Sequence, residues 1–274
     1  GNKELSFNDL IVPKYRESLW NEWEKTLASK QDFNYEYEIM TAAGERKWVL
    51  ELGQGVYKEN DEVEALEGII IDISDRKEIE GTLKYANEHD RLTGLLNRDY
   101  LENLLNNDSG NGEVARRALI SINLTEIQKL TITYGFHYTQ DIIKNVARML
   151  SEYAADNRLL FNTYENRFVF YVKDYEDTPE LREFCTIIKQ TLESILSIER
   201  IGGGIGLYEL DGSCLLDADQ ILKNLLIASE KAAENSENDF KICVYDSGIA
   251  EQIIREQEIE NELQRIALDT ANDA

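Results

Sequence analysis

Asp90-Arg91-Leu92-Thr93-Gly94-Leu95-Leu96-Asn97-Arg98 divides the chain. From about residue 90 onward the apolar pattern alternates between helical and strand periods, which signals a separate α/β domain with its boundary near Glu88 to Asp90. Downstream, residues 99 to 106 read as helix and Ala118 to Leu124 as a buried strand. Ile142, Ile143, Val146, Ala147 and Leu150 mark the core face of a long helix. A hairpin follows, Arg158 to Thr163 and Phe168 to Val172, then an amphipathic helix over 179 to 197. Gly202 to Leu207 reads as a glycine-rich strand, Ile221 to Ala233 as a helix and Lys241 to Tyr245 as a last strand. These glycines neither follow GxGxxG spacing nor open onto a helix, so they predict close backbone packing rather than a phosphate loop. Ile253 to Leu268 has the pattern of a polar amphipathic helix.

Upstream of the dividing stretch, Tyr15, Leu19, Trp23 and Leu27 recur every four residues behind Pro13, which predicts a helix over 13 to 29. Phe33, Tyr35, Tyr37 and Ile39 then alternate with polar residues, the period of a half-buried strand. Ala43-Gly44 supplies a turn, and Trp48, Leu50 and Leu52 share one face of a second strand. After the polar break at Lys58 to Asp61 comes the apolar run Gly68 to Ile73, completing a three-stranded antiparallel meander whose aromatic residues read as core. Asp75-Arg76-Lys77-Glu78 opens a helix whose narrow apolar seam, Ile79, Leu83 and Ala86, suits a connector that pairs with its own copy.

Composition bounds the function. An apolar share of 42% and 14 tyrosines in 274 residues predict two folded domains of modest size. A net charge of −24 argues against nucleic acid as a partner, because that affinity comes from basic residues displacing counterions from phosphates. Cys185, Cys214 and Cys243 are odd in number and widely spaced, which predicts free thiols in a reducing cytoplasm. With His89 and His137 they form no ligand cluster, so no structural metal is expected. His137 reads as a surface or capping group in the first turn of its helix. No apolar run approaches the roughly 20 residues that span a bilayer. The chain begins Gly1-Asn2-Lys3-Glu4 and ends within a helical pattern, and it is read as a piece of a longer parent that carries further, even membrane-attached, segments.

Asp90 to Arg98 resembles the D-x-L-T-G-L-x-N-R sequence that opens GGDEF domains, the diguanylate-cyclase family. Asp72-Ile73-Ser74-Asp75-Arg76-Lys77 resembles the segment that closes PAS domains, and the meander with Gly44 and Trp48 is similar to the last three strands of one. Strands corresponding to the first of a PAS domain are missing, so an unidentified small-molecule PAS ligand would meet an incomplete cavity. Tyr245-Asp246 and Glu258 to Leu263 resemble the lead-in to an EAL phosphodiesterase domain. The resemblance implies an α+β chain: a partial PAS-like antiparallel sheet over 1–75, a signalling helix over 76–89, a GGDEF-type central sheet flanked by helices over 90–248, and a helical lead-in over 249–274.

Active members of that family hold GTP through two magnesium ions, which neutralise the triphosphate before a 3′-hydroxyl attacks it, and such ions want carboxylate oxygens. By register from Tyr134-Gly135, the metal-binding aspartate falls at Asn123, the guanine-reading asparagine at Thr131 and its partner aspartate near Gln140. Two triphosphate-binding lysines fall at Gln128 and Ala233. The signature itself reads Tyr164-Glu165-Asn166-Arg167-Phe168, of which Phe168 alone is retained. Tyr164 and Glu165 are expected to fill space that glycines leave for phosphates, and Arg167 to sit as an exposed turn residue paired with Glu165 rather than as a counter-charge for nucleotide. The inhibitory RxxD positions fall at Ala155 and Arg158.

The expected protein is therefore a non-catalytic regulatory domain, without catalytic residues or bound GTP and Mg²⁺, that dimerises through its linker helix and relays a PAS signal to a downstream EAL domain. A nucleotide-binding allosteric site without turnover and an active diguanylate cyclase stand as alternatives.

Overall fold

The computed structural model describes residues 7–109, 116–210, 217–234 and 236–249, with Glu251 and Arg255. Cys214 and, apart from Arg255, the tail from Ile253 to Leu268 with its Glu258 to Leu263 segment lie outside the described residues. The chain divides into two compact units between Tyr85 and Ala86.

The first unit contains α1 (Phe7–Leu10), α2 (Pro13–Ser29), β1 (Phe33–Met40), β2 (Arg46–Tyr57), β3 (Val63–Asp72) and most of α3 (Ser74–Glu88). Pro13 starts α2 with its φ preset, and Lys30, in a left-handed conformation at φ 50°, ends it. The strands form an antiparallel sheet in the order β1-β2-β3, as the meander predicts. Leu19 and Trp23 of α2 pack on Phe33, Tyr37 and Val49, and the Trp23 and Phe33 rings stack at 3.8 Å. Glu51 lies beneath α2 and accepts hydrogen bonds from Trp23 Nε1 at 3.2 Å and from the Tyr37 hydroxyl at 2.7 Å.

Register decides which face of the second strand is covered. Phe33 pairs with Gly53, Tyr35 with Glu51 and Tyr37 with Val49, so Val49, Glu51 and Gly53 share the face that holds the core. Trp48, Leu50 and Leu52 do share a face, but the opposite one. Trp48 is half-buried and meets Tyr15 edge-on, with Lys77 over its ring. β3 is exposed along its whole length. On α3 the seam residues Ile79 and Leu83 are 59% and 58% exposed, and Ala86 is exposed too.

The second unit contains β4 (Leu96–Asn97), α4 (Arg98–Ser109), β5 (Arg117–Leu124), α5 (Ile127–Tyr134), α6 (Phe136–Ser151), β6 (Arg158–Tyr164), β7 (Arg167–Lys173), α7 (Thr178–Leu196), β8 (Gly203–Leu210), α8 (Ala218–Glu234) and β9 (Phe240–Val244). Six strands make one sheet in the order β4-β6-β7-β5-β8-β9, with the two outer pairs parallel and the rest antiparallel. Ala118, Ile120 and Ile122 of the central strand β5 face Ile143, Val146 and Leu150 of α6 and Ile188 of α7. Leu119 joins Leu101, Leu105, Ile221 and Leu225 on the other face. The glycine-rich strand is β8, and its glycines serve packing. A Cβ on Gly204 would lie 2.0 Å from Ser229 O, and one on Gly206 2.5 Å from Ser229 N, so α8 sits directly on the strand backbone.

The stretch that divides the sequence is a closed turn. Asp90 Oδ1 accepts from the Leu92 and Thr93 amides and from the Thr93 hydroxyl at 2.6 Å, while Gly94 takes φ 72° and returns its N–H to Asp90 O. Asp90 N donates to Leu95 O, closing the loop. The turn delivers Leu96-Asn97 to a parallel pairing with Phe161-Asn162, and Asn97 Oδ1 accepts from Tyr100 N at 2.9 Å at the start of α4. Periodicity missed β4 and α5: the first is only two residues long, and the second mixes Thr, Ile and Tyr without a clear apolar stripe.

Candidate functional site

The β6–β7 hairpin places the signature. Tyr164 ends β6, Glu165-Asn166 form the tip, and Arg167 begins β7. Asn162, 5% exposed, holds the tip from beneath by donating its amide to Tyr164 O at 2.6 Å and Arg167 O at 3.0 Å. The sequence reading missed this residue, whose only signal is a polar side chain at an inward strand position. Phe168 is fully buried and anchors the hairpin in the core.

Two expected positions come together. Asn123, at the end of β5, pairs in register with Arg167, and the Asn166 amide donates to Asn123 Oδ1 at 3.1 Å and to Leu124 O at 2.9 Å. Leu124 N in turn donates to Asn166 O at 2.9 Å. The tip is thus fastened to β5 by three hydrogen bonds between neutral groups.

Arg167 departs from expectation. It is not an exposed partner of Glu165: its side chain is 16% exposed and Nη2 bonds Glu230 Oε1 of α8 at 2.6 Å. Burial pulls the guanidinium below its ordinary pKa, against the pull of Glu230, which favours the charged form. The two-residue tip sends Glu165 outward, and the strand register points Arg167 at the helix that the β8 glycines bring close. Tyr164 also departs. Its ring does not line the cleft but lies between two guanidinium groups, Arg98 at 5.1 Å and Arg167 at 5.5 Å from the centroid. Arg98, the last residue of the opening motif, is held by Glu102 at 2.5 Å.

The cleft of about 690 Å³ beside the hairpin is lined by Asn123, Gln128, Lys129, Glu165, Asn166, Arg167, Glu230 and Ala233, with apolar neighbours from α5. Gln128 and Ala233, the positions to which the resemblance assigns lysines, both line the cleft. Glu230 and Lys129 were not foreseen, because their proximity depends on how α8 and α5 pack. Lys129 is paired with Glu126 at 2.9 Å. Thr131 and Gln140 are not among the lining residues. The Thr131 hydroxyl donates to Ile127 O at 2.9 Å and lies 3.0 Å from the hydroxyl of Thr139, the residue before Gln140. His137 is exposed, and Arg158 lies over the Phe184 ring at 4.9 Å. Among the described residues no group of three or more His, Cys, Asp and Glu side chains could hold a metal ion, and no helix is long and apolar enough to cross a membrane.

Comparison with known proteins places this geometry. A curated relative from Sinorhizobium fredii, the uncharacterized protein y4lL, is 21% identical over 235 residues, 82% of this chain. The chain spans 28% of that relative's length. The coiled coil and GGDEF domain of DgcB from Caulobacter crescentus, solved in complex with c-di-GMP, matches with a TM-score of 0.50 at 14% identity, covering 62% of this chain and 93% of that one. The S helix-GGDEF-EAL structure of Vibrio cholerae LapD, bound to c-di-GMP, matches with a TM-score of 0.50 at 15% identity, covering 69% of this chain and 46% of that one. At these identities the structures show the shared fold. The PAS fold model matches residues 2–70 and the diguanylate cyclase GGDEF domain model residues 87–239, more than half of the sequence, and the chain therefore belongs to the GGDEF domain family, with a PAS fold at its N-terminus.

Proposed function

We propose that this chain is a catalytically silent GGDEF-type regulator in cyclic-di-GMP signalling, receiving input from its PAS unit and passing it, as a cytoplasmic homodimer, to an EAL phosphodiesterase domain of the parent protein. The observation that carries the reading is the Asn166–Asn123 amide pair, with Arg167 bound to Glu230 beside it. A two-magnesium site needs anionic oxygens converging on the ions, and amides that satisfy one another offer no charge. Removing groups of this kind costs several kcal/mol of transition-state stabilisation, and each 1.36 kcal/mol is about tenfold in rate. Neither GTP nor Mg²⁺ is then expected as a functional cofactor.

The exposed seam Ile79, Leu83 and Ala86 supports pairing of α3 with its copy. The S helix-GGDEF-EAL order of the LapD structure supports the relay. The proposed organisation is PAS-like over 1–75, linker helix over 76–89, GGDEF-type over 90–248 and EAL lead-in over 249–274. A second reading, GTP bound without turnover, is favoured by one observation: the cleft of about 690 Å³ remains open, with Lys129 at its rim.

The test incubates the purified chain with GTP and Mg²⁺ or Mn²⁺ and measures cyclic-di-GMP by chromatography, beside calorimetry with a non-hydrolysable GTP analogue. No product and no binding heat are expected. Sustained product overturns the proposal, and binding heat without product replaces it with the second reading.

A further inference from the structure

Beneath the hairpin, apart from the cleft, lies a cavity of about 220 Å³ between the sheet and the helices α4 and α8. Its floor is Ser121, which shares a face of β5 with Asn123; in the antiparallel register Ser121 pairs with Val169 and Asn123 with Arg167, so Ser121 and Arg167 stand on one face of the sheet, diagonal to each other. Ser121 is 1% exposed, and its hydroxyl has no hydrogen-bond partner. Arg167 Nε is likewise buried without a partner, although Nη2 of the same guanidinium is bound to Glu230.

Two orphaned buried donors on residues that line one cavity are a cost that native proteins rarely carry, and they call for an acceptor. The other polar groups have the same sense. Arg98, Lys223 and Arg167 contribute three cations to the lining against the single carboxylate of Asp219, and Tyr164 holds two of the guanidinium groups against its ring. The rest of the wall is apolar, chiefly leucines of α8. Such a lining, apolar with a few convergent donors, is that of a ligand site, and its volume falls below the roughly 300 Å³ at which pockets for drug-sized ligands begin. A nucleoside triphosphate is too large for it.

We propose that this cavity binds a small organic anion, a carboxylate or phosphate monoester on a flat apolar body, with its anionic oxygens at Ser121 Oγ and Arg167 Nε and its body against the α8 leucines. Guanidinium N–H groups match carboxylate and phosphate oxygens in geometry, and the hydroxyl supplies a further donor. Because Arg167 also begins the hairpin and ties it to α8, an occupant would set how firmly tip and helix are held together. The site is independent of whether the cleft turns over GTP.

Benzoate and phenyl phosphate are the probes, titrated into the full chain by calorimetry, and the tighter of the two identifies the anionic group. Ser121→Ala removes the donor without adding volume, and it is expected to weaken binding about tenfold, the loss of one charge-assisted hydrogen bond. Leu222→Trp, which fills the cavity from α8, should abolish binding, while Gln128→Ala in the cleft should leave it unchanged. On the unsubstituted protein, amide resonances of Ser121 and Leu225 should shift with added probe. Absence of binding by both probes, wild-type affinity in Ser121→Ala, or shifts confined to Gln128 and Lys129 would overturn the proposal.

Discussion

The side-chain amide of Asn166 donates to Asn123 Oδ1 at 3.1 Å, joining the hairpin tip to the end of the central strand. These are the positions at which the GGDEF resemblance implies carboxylates, and here the two residues satisfy each other instead. The pair acts as a structural clasp: Asn123 is 5% exposed, and the same Asn166 amide reaches Leu124 O.

Asn166→Asp tests the clasp. The substitution replaces a donor with a carboxylate facing two acceptors, Asn123 Oδ1 and Leu124 O, so stability at neutral pH should fall by about 1–3 kcal/mol. Urea denaturation of the two proteins measures it. Equal midpoints would show that the amide pair contributes nothing.

Asp108 sets an acid limit. Burial pushes its carboxyl up, but hydrogen bonds from Lys173 at 2.7 Å and the Tyr171 hydroxyl at 2.8 Å outweigh this and hold its pKa below the ordinary value. A depressed folded-state pKa contributes stability that is fully present above the unfolded value, about 3.9, and lost as pH falls through the lower folded one. Asp108→Asn should therefore be less stable than the parent at pH 7, with the gap narrowing as pH drops below about 4. A gap that stays constant from neutral to acid pH excludes this role for Asp108.

In the PAS unit, Glu51 is the acceptor for two aromatic donors. Tyr37 is fully buried, and both burial and Glu51 raise its hydroxyl pKa well above the usual value. Glu51→Leu would leave the Tyr37 hydroxyl and Trp23 Nε1 without an acceptor at about 1–3 kcal/mol each, although the added apolar volume is tolerated by size. Calorimetric melting should show this unit unfolding first. Glu51→Gln, which keeps an acceptor oxygen, should recover much of the loss.

The helices were legible wherever one face carried the burden of packing. Ile142, Ile143, Val146, Ala147 and Leu150 recur at helical spacing because one stripe of α6 meets the sheet, and all five are buried. The meander was legible for the same reason at period two. The face of β2 was not: Trp48, Leu50 and Leu52 look like an inward set, yet pairing with β1 turns Val49, Glu51 and Gly53 inward, because a period of two fixes which residues share a face and says nothing of which face is covered. Glu51 on the covered face is acceptable only because Trp23 and Tyr37 reach it, a fact that resides in another helix and another strand.

By itself, the sequence determined the family, the position of the hairpin and the identity of the residues at its tip, since these follow from local motifs and spacing: a turn closed by Asp90 and Gly94, alternating strands, and a polar pair between them. Only the tertiary structure decided what those residues do. Arg167 faces Glu230 rather than Glu165, Tyr164 turns from the cleft to lie between two arginines, and Ser121 closes a cavity with an unmet donor. The reason is geometric. Charge pairing and cavity walls depend on how closely α8 can approach β8, which the backbone at Gly204 and Gly206 permits and no periodicity along the chain records.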